Sequence, residues 1–290
     1  LMKVFLMMIA ATPQAIRAQR GRLGAGTGTS MLQKPRVRDG GFKPSPPPRV
    51  KWELSWSDEF DSDALNHSRW NVRTNESHCC PAELELYMPE AVSVHDGQLV
   101  LRTQNRTLTG PKGQSFPYSS GWIDTKAKWS QKYGRFEANC SLPSRAATGV
   151  WPAFWLMPDN QTANPQCWPT GGEIDIFEMN GDPVQDDIFG SYHWARPGEC
   201  GKDREPIPGA GWRPTGSVVD WQMGWHLYAV EWRANRLDFF VDDNLYLTRI
   251  AGTRGDLLLP SSPMYIIFDQ AVDGWLFRPP ATPPVAYHGD

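Results

Sequence analysis

The chain has 290 residues, 40% of them hydrophobic, with 26 Gly, 26 Pro and a formal net charge of −3. Nine Lys/Arg against one acid give residues 1–49 a charge of +8, which leaves −11 on residues 50–290. An acidic body without a basic stripe argues against nucleic acid as a partner, and an uncharged polymer is compatible with it. Trp (14) outnumbers Phe (12) and Tyr (8), a content that suits a large core or a surface that stacks on flat rings.

Lys3, an apolar run over residues 4–11 and small residues including Ala15 and Ala18 read together as a secretory signal peptide over residues 1–18. The run is too short for a membrane span. Sequons at Asn66, Asn75, Asn105, Asn139 and Asn160, where chance would give about one, also point to a secreted, extracellular glycoprotein. Residues 19–50 are Gly-, Pro- and Arg-rich, close on Pro44-Ser45-Pro46-Pro47-Pro48, and read as a disordered leader. Residues 51–290 read as one domain.

Within that domain, residues 91–95 and 98–103 alternate apolar and polar around Asp96-Gly97, the pattern of a two-residue hairpin with Val92, Val94, Leu99 and Leu101 on one side. Strand-like runs follow at residues 122–128, 133–142, 150–157, 173–179, 188–194, 226–232, 237–241 and 264–270. No helical period of ten residues interrupts them, so the expected class is all-β, an antiparallel sandwich or barrel. The five Cys (Cys79, Cys80, Cys140, Cys167, Cys200) leave at least one thiol unpaired within the chain. A Cys167–Cys200 bridge is the favoured pair, because both lie in loop-like stretches flanking the acidic segment described next. No C-x-x-C or His-rich spacing points to a zinc site.

The informative segment is Gly172-Glu173-Ile174-Asp175-Ile176-Phe177-Glu178-Met179. Side chains alternate faces along a strand, so Glu173 and Asp175 share one face and Ile174 and Ile176 the other. Strict alternation would bury Glu178 among the isoleucines at high cost, and one extra residue near Ile176-Phe177, a β-bulge, returns it to the acidic face. Three like charges in a row are poorly explained by stability. They suit glycoside hydrolysis, which needs one carboxylate as nucleophile and one carboxylic acid as proton donor, the second kept protonated by crowding. On spacing alone, an exposed acidic edge or a calcium-binding strand remains the alternative. Trp151, Trp155, Trp168 and the pair His193-Trp194 lie close in sequence to the strand and favour a ring-lined cleft.

On these residues the chain resembles glycoside hydrolase family 16, and most of all its laminarinase (endo-β-1,3-glucanase) branch. The strongest match is the bulged motif from Glu173 to Glu178. Supporting matches are Trp56-Ser57-Asp58-Glu59-Phe60, Tyr87-Met88-Pro89-Glu90, Lys132-Tyr133-Gly134-Arg135-Phe136-Glu137-Ala138, and His226-Leu227-Tyr228-Ala229-Val230-Glu231-Trp232. The resemblance implies a β-jelly roll of two antiparallel sheets with a concave substrate groove. It also implies a monomeric, retaining endo-β-glucanase acting on β-1,3 linkages, with mixed β-1,3/1,4 linkages left open. Glu173 would be the nucleophile, Asp175 the group that tunes it, and Glu178 the acid/base. His193 would stand near the acid/base, Trp155 and Trp168 would stack on sugars, and Trp275 is a looser match to the last cleft loop.

The chain departs from the family at Pro81-Ala82-Glu83-Leu84, at Trp122 and at Asp269-Gln270-Ala271-Val272-Asp273-Gly274, which leaves subsite preference open. It also ends without the family's closing strand, which is the reading of a chain truncated at its C-terminus. That strand carries an Asp often used for a structural calcium ion, so no metal is predicted, and no cofactor is required. The rival readings are a non-catalytic glucan-recognition protein, which typically lacks a catalytic Glu, and a transglycosylase or galactan hydrolase on the same fold.

Overall fold

The computed structural model describes residues 2–11, 50–77, 83–143, 149–159, 167–179, 188–204, 224–253 and 256–272. In chain order the strands are β1 (Met2–Ala11), β2 (Trp52–Asp58), β3 (Asn71–Val72), β4 (Glu85–Tyr87), β5 (Val92–His95), β6 (Gln98–Leu101), β7 (Gln104–Thr109), β8 (Ser115–Ser120) and β9 (Trp122–Asp124). They continue with β10 (Gly134–Ser141), β11 (Val150–Pro158), β12 (Glu173–Met179), β13 (Ile188–His193), β14 (His226–Arg233), β15 (Arg236–Val241), β16 (Asn244–Ile250) and β17 (Met264–Val272). An eight-stranded sheet runs β16-β15-β14-β10-β1-β6-β5, with β2 added to β1, and a six-stranded sheet runs β13-β12-β11-β17-β9-β3. Both are antiparallel throughout. The all-β sandwich expected from the sequence is therefore the architecture found.

A third small sheet, β4-β8-β7, was not foreseen, and it contains a parallel pair between β4 and β8. It docks on the end of β17, where the Val272 N–H donates to Glu85 Oε2 at 2.8 Å and the Leu84 N–H to the Val272 carbonyl at 3.0 Å.

Local sequence explains several of these elements. Asp96 and Gly97 both take positive φ, 52° and 69°, the backbone that a tight type I′ hairpin turn requires. The turn sets Val94 opposite Leu99 and Val92 opposite Leu101. Between the two large sheets, alternate residues of β10, β11, β12, β14 and β17 form one core. Phe154 stacks on Phe268 at 4.5 Å, and Phe177 of β12 meets Tyr228 of β14 at 4.4 Å, tying one sheet to the other. Each such ring, fully buried, contributes on the order of 1.5–3 kcal/mol.

Met2–Ala11, within the span read from sequence as a signal peptide, pairs here with β10, β6 and β2 inside the larger sheet. An unbroken apolar run suits a central strand as well as it suits a leader. Residues 12–49, most of the expected disordered segment, and the C-terminal residues 273–290 lie outside the described residues. No helix among the described residues is long and apolar enough to cross a membrane.

Candidate active site

The acidic segment forms β12, and the bulge lies where face alternation requires it. On β11, Trp155 stands opposite Asp175 and Phe154 opposite Phe177, so Ile176 is the extra residue. On β13, Ser191 stands opposite Asp175 and Phe189 opposite Glu178, again one residue short. Ile176 and Phe177 both enter the core with no exposed surface, and Glu178 returns to the face of Glu173 and Asp175.

Gly190 sits across from the bulge. With no side chain there, Tyr246 reaches in and its hydroxyl donates to the Ile176 carbonyl at 3.1 Å. A Cβ on Gly190 would stand 2.5 Å from the Tyr246 hydroxyl oxygen and 2.9 Å from the Phe239 ring. Gly190→Ala is therefore expected to cost about 1–3 kcal/mol through overpacking, measured as a lower thermal unfolding midpoint. An unchanged midpoint would mean that Tyr246 moves aside freely and is not a support of the bulge.

Glu173 and Glu178 each accept a hydrogen bond from a neighbouring element, and His193 stands beside Asp175. The Trp168 indole N–H donates to Glu173 Oε2 at 2.9 Å. The Trp151 indole N–H and the Ser191 hydroxyl donate to Glu178 at 3.1 and 3.3 Å. His193, opposite Glu173 on β13, places Nε2 3.3 Å from Asp175 and Nδ1 2.6 Å from Asp203. Burial pushes the Glu173 carboxyl up to about 8, the Asp175 charge adds to this, and His193 and Trp168 oppose it. Burial, followed by the charge on Asp175, raises Glu178 well above the usual carboxylate range. Burial also raises Asp175, and the His193 imidazole 3.3 Å away offsets part of that rise. For His193 burial acts downward, but the neighbouring Asp175 and Asp203 carboxylates outweigh it and hold the imidazole up at about 12. Asp203, His193 and Asp175 thus form a chain beside Glu173 and Glu178.

Beyond Asp175 lies a cluster of buried rings. Trp155 meets Trp122 edge-on at 5.4 Å, and Tyr87 meets Trp122 at 5.2 Å. The Trp155 indole N–H donates to Asp269 at 2.7 Å and the Tyr87 hydroxyl donates to its other oxygen at 3.0 Å. Burial pushes Asp269 up to about 7. The Arg73 guanidinium lies over Trp122 at 3.6 Å. Two of the family departures, Trp122 and Asp269, thus meet at this cluster.

Of the residues singled out from sequence, Glu173, Asp175, Glu178, Trp155, Trp168 and His193 come together here, and Trp275 lies outside the described residues. Sequence reasoning did not assign a role to Trp151, Ser191 or Asp203. The first two share the face parity of Glu178 across the sheet and were recoverable from it, whereas Asp203 arrives from a loop without any parity signal. The expected Cys167–Cys200 disulfide is present and Cys140 is a buried free thiol. Glu173, Asp175 and His193 also form the one group with metal-ligand proximity among the described residues. Both His193 nitrogens are already engaged by carboxylates, so the set lacks a neutral nitrogen donor and does not fit a metal centre.

Two packed antiparallel sheets with a bulged acidic strand on one face make a jelly roll. The match of residues 52–284 to the family model described as "Beta-porphyranase A-D, GH16 domain" makes the assignment specific: the chain belongs to glycoside hydrolase family 16. It is 34% identical over 200 residues to a β-glucanase of Rhodothermus marinus, covering 67% of this chain and 64% of that one. It is also 28% identical to a keratan-sulfate endo-1,4-β-galactosidase of Sphingobacterium multivorum, covering 77% of this chain and 50% of that one. Among solved structures it is similar to the catalytic domain of an endo-1,3-β-glucanase (laminarinase) from Thermotoga petrophila, with TM-score 0.67 and 26% identity over 82% of this chain and 93% of that one. The chain spans between about a third and two thirds of the length of the curated relatives it matches.

Proposed function

We propose that the chain is a retaining endo-β-glucanase that cuts internal β-1,3 linkages by double displacement. The observation that carries this reading is the bulge, which brings Glu173 and Glu178 to one groove face on either side of Asp175. A Glu173 oxygen attacks the anomeric carbon while Glu178 gives its proton to the departing glycosidic oxygen, leaving a glycosyl ester on Glu173. Glu178, now a carboxylate, then takes a proton from water as that water attacks the same carbon and the ester bond breaks. Trp168 holds Glu173 in place, and Trp151 and Ser191 hold Glu178. The product first formed should be the β-anomer, which NMR of early hydrolysate reads directly. An α-anomer would reject double displacement.

A galactan substrate is the second reading, favoured by the description of the matched family and by the recast ring cluster at Trp122 and Asp269. A product panel on laminarin, mixed-linkage glucan, agarose, porphyran, carrageenan and keratan sulfate separates the two. Release of laminari-oligosaccharides supports the first reading, and cleavage confined to the galactans overturns it. We also propose that the protein acts as a monomer outside the cell. The exposed sequons at Asn66, Asn75 and Asn105 and a disulfide at the site, which suits an oxidising compartment, support secretion.

A further inference from the structure

We propose that the loop over residues 194–204 is a clamp that positions the catalytic groups, with Asp203 as a positioning residue for His193 and the Cys167–Cys200 bridge as the tether of Trp168. The proposal rests on the reading of Glu173 and Glu178 as the glycosidic pair and assigns a task to residues that this reading leaves unused. One arm of the clamp ends on His193. Asp203 Oδ2 lies 2.6 Å from His193 Nδ1, and its other oxygen accepts the Trp194 N–H at 3.3 Å. A partner on one imidazole nitrogen fixes both the ring plane and what the other nitrogen presents. Here the other nitrogen, Nε2, is aimed at Asp175 at 3.3 Å. The second arm ends on Glu173. Cys200 is bonded to Cys167, the Gly201 N–H donates to the Trp168 carbonyl at 2.6 Å, and the Trp168 indole donates to Glu173. The Trp168 ring also lies 5.6 Å from the His193 ring, so the two arms close on each other.

The loop is braced away from the site. Arg204 and Glu199 form a two-bond ion pair at 2.7 and 2.6 Å, Arg204 N–H donates to the Trp194 carbonyl, and its guanidinium lies over the Trp194 ring. The Glu199–Arg204 pair stands in solvent and on its own is worth little, so the loop's hold on the site runs through Asp203 and the disulfide. The groups facing His193 are Asp175 and Glu173 from β12, Asp203 from the loop and the Trp168 ring. Removing the Asp203 charge therefore leaves the imidazole with Asp175 and Glu173 alone, free to turn about its side-chain bonds.

The test compares Asp203→Asn, Asp203→Glu and Glu199→Gln with the wild type on the polymer that the product panel selects. Asp203→Asn should lose on the order of 10- to 100-fold in kcat with KM changed less than about threefold, the cost of a misplaced rather than a missing group. The His193 imidazole, followed by ¹⁵N NMR, should give up its proton at least about one pH unit lower in Asp203→Asn. Asp203→Glu should restore part of both, and Glu199→Gln should stay within about twofold of wild type. Should Asp203→Asn not fold, wild type reduced under native conditions provides the second measurement. It should keep its circular dichroism and lose about tenfold in kcat as Trp168 is released. Wild-type kcat and an unmoved His193 titration in Asp203→Asn, an equal loss in Glu199→Gln, or full kcat after reduction would each overturn the clamp. Wild type inactive on every polymer would instead defeat the functional reading, and the His193 titration would still decide the role of Asp203.

Discussion

Glu173→Ala is expected to reduce hydrolysis to background on every substrate, including those with good leaving groups, because no residue remains to form the glycosyl ester. Glu178→Ala is expected to behave differently. On a natural polymer it should lose on the order of 10²- to 10⁴-fold in kcat, the usual worth of a positioned proton donor. On a dinitrophenyl glycoside, whose departure needs no proton, the ester-forming step should lose far less. Added azide then attacks the ester on Glu173 and releases a β-glycosyl azide. In Glu173→Ala the azide takes the place of the missing carboxylate and yields the α-azide. Product stereochemistry by NMR separates the two roles, and reversed azide configurations would exchange them. The two residues also differ in setting on their one strand: Glu173 is half-buried, while Glu178 is buried and accepts the Trp151 indole N–H.

The second large effect is on pH dependence. The profile of kcat/KM should be bell-shaped, and its acid limb should lie well above the usual carboxylate range. Glu173 must be ionised to attack, and burial together with the Asp175 charge pushes its carboxyl up to about 8. The sign follows from the role: as pH falls through that value the nucleophile is protonated and the rate drops. The alkaline limb reports loss of the Glu178 proton, which burial first and then the charges of Asp175 and Glu173 hold well above the usual carboxylate range. Because the groups interact, the two limbs belong to the set rather than to single residues. Glu173→Gln removes one of the charges facing Glu178, so Glu178 should release its proton at lower pH, measurable by ¹³C NMR of labelled carboxyls. An acid limb near the ordinary carboxylate value would show that the groove is wetter than its burial implies.

Much of this site was legible in the sequence because its logic is periodic. The bulge followed from the cost of burying Glu178, and the two isoleucines and Phe177 fill the core side of β12 as that cost requires. Seven of the eight expected runs coincide with strands to within two residues at each end; the eighth, residues 122–128, gives only the short β9. The missed elements lack such a signal. In β7 the sequence Gln-Asn-Arg-Thr-Leu-Thr is mostly exposed and polar, and its pairing with β8 is set by the chain around it and not by apolar alternation. β16 lies behind two aspartates in positive-φ conformations, Asp242 and Asp243, a turn that composition does not single out. Asp203 and Asp269 gain their meaning from residues 10 and 114 positions away, His193 and Trp155, and no local pattern connects them.

The ten residues of β1 admit two readings. As a strand they hold seven register pairs with β10, six with β2 and three with β6, at the middle of the larger sheet. As an export leader they are discarded at the membrane. A chain trimmed after Ala18 would present two raw hydrogen-bonding edges in the heart of the sandwich, and such edges recruit whatever strand is within reach. On the leader reading, export and closure of the sheet would compete for one stretch of polypeptide. The first residue of the exported protein names the winner: a start at or before Met2 keeps the strand, and a start after Ala18 hands its berth to another segment.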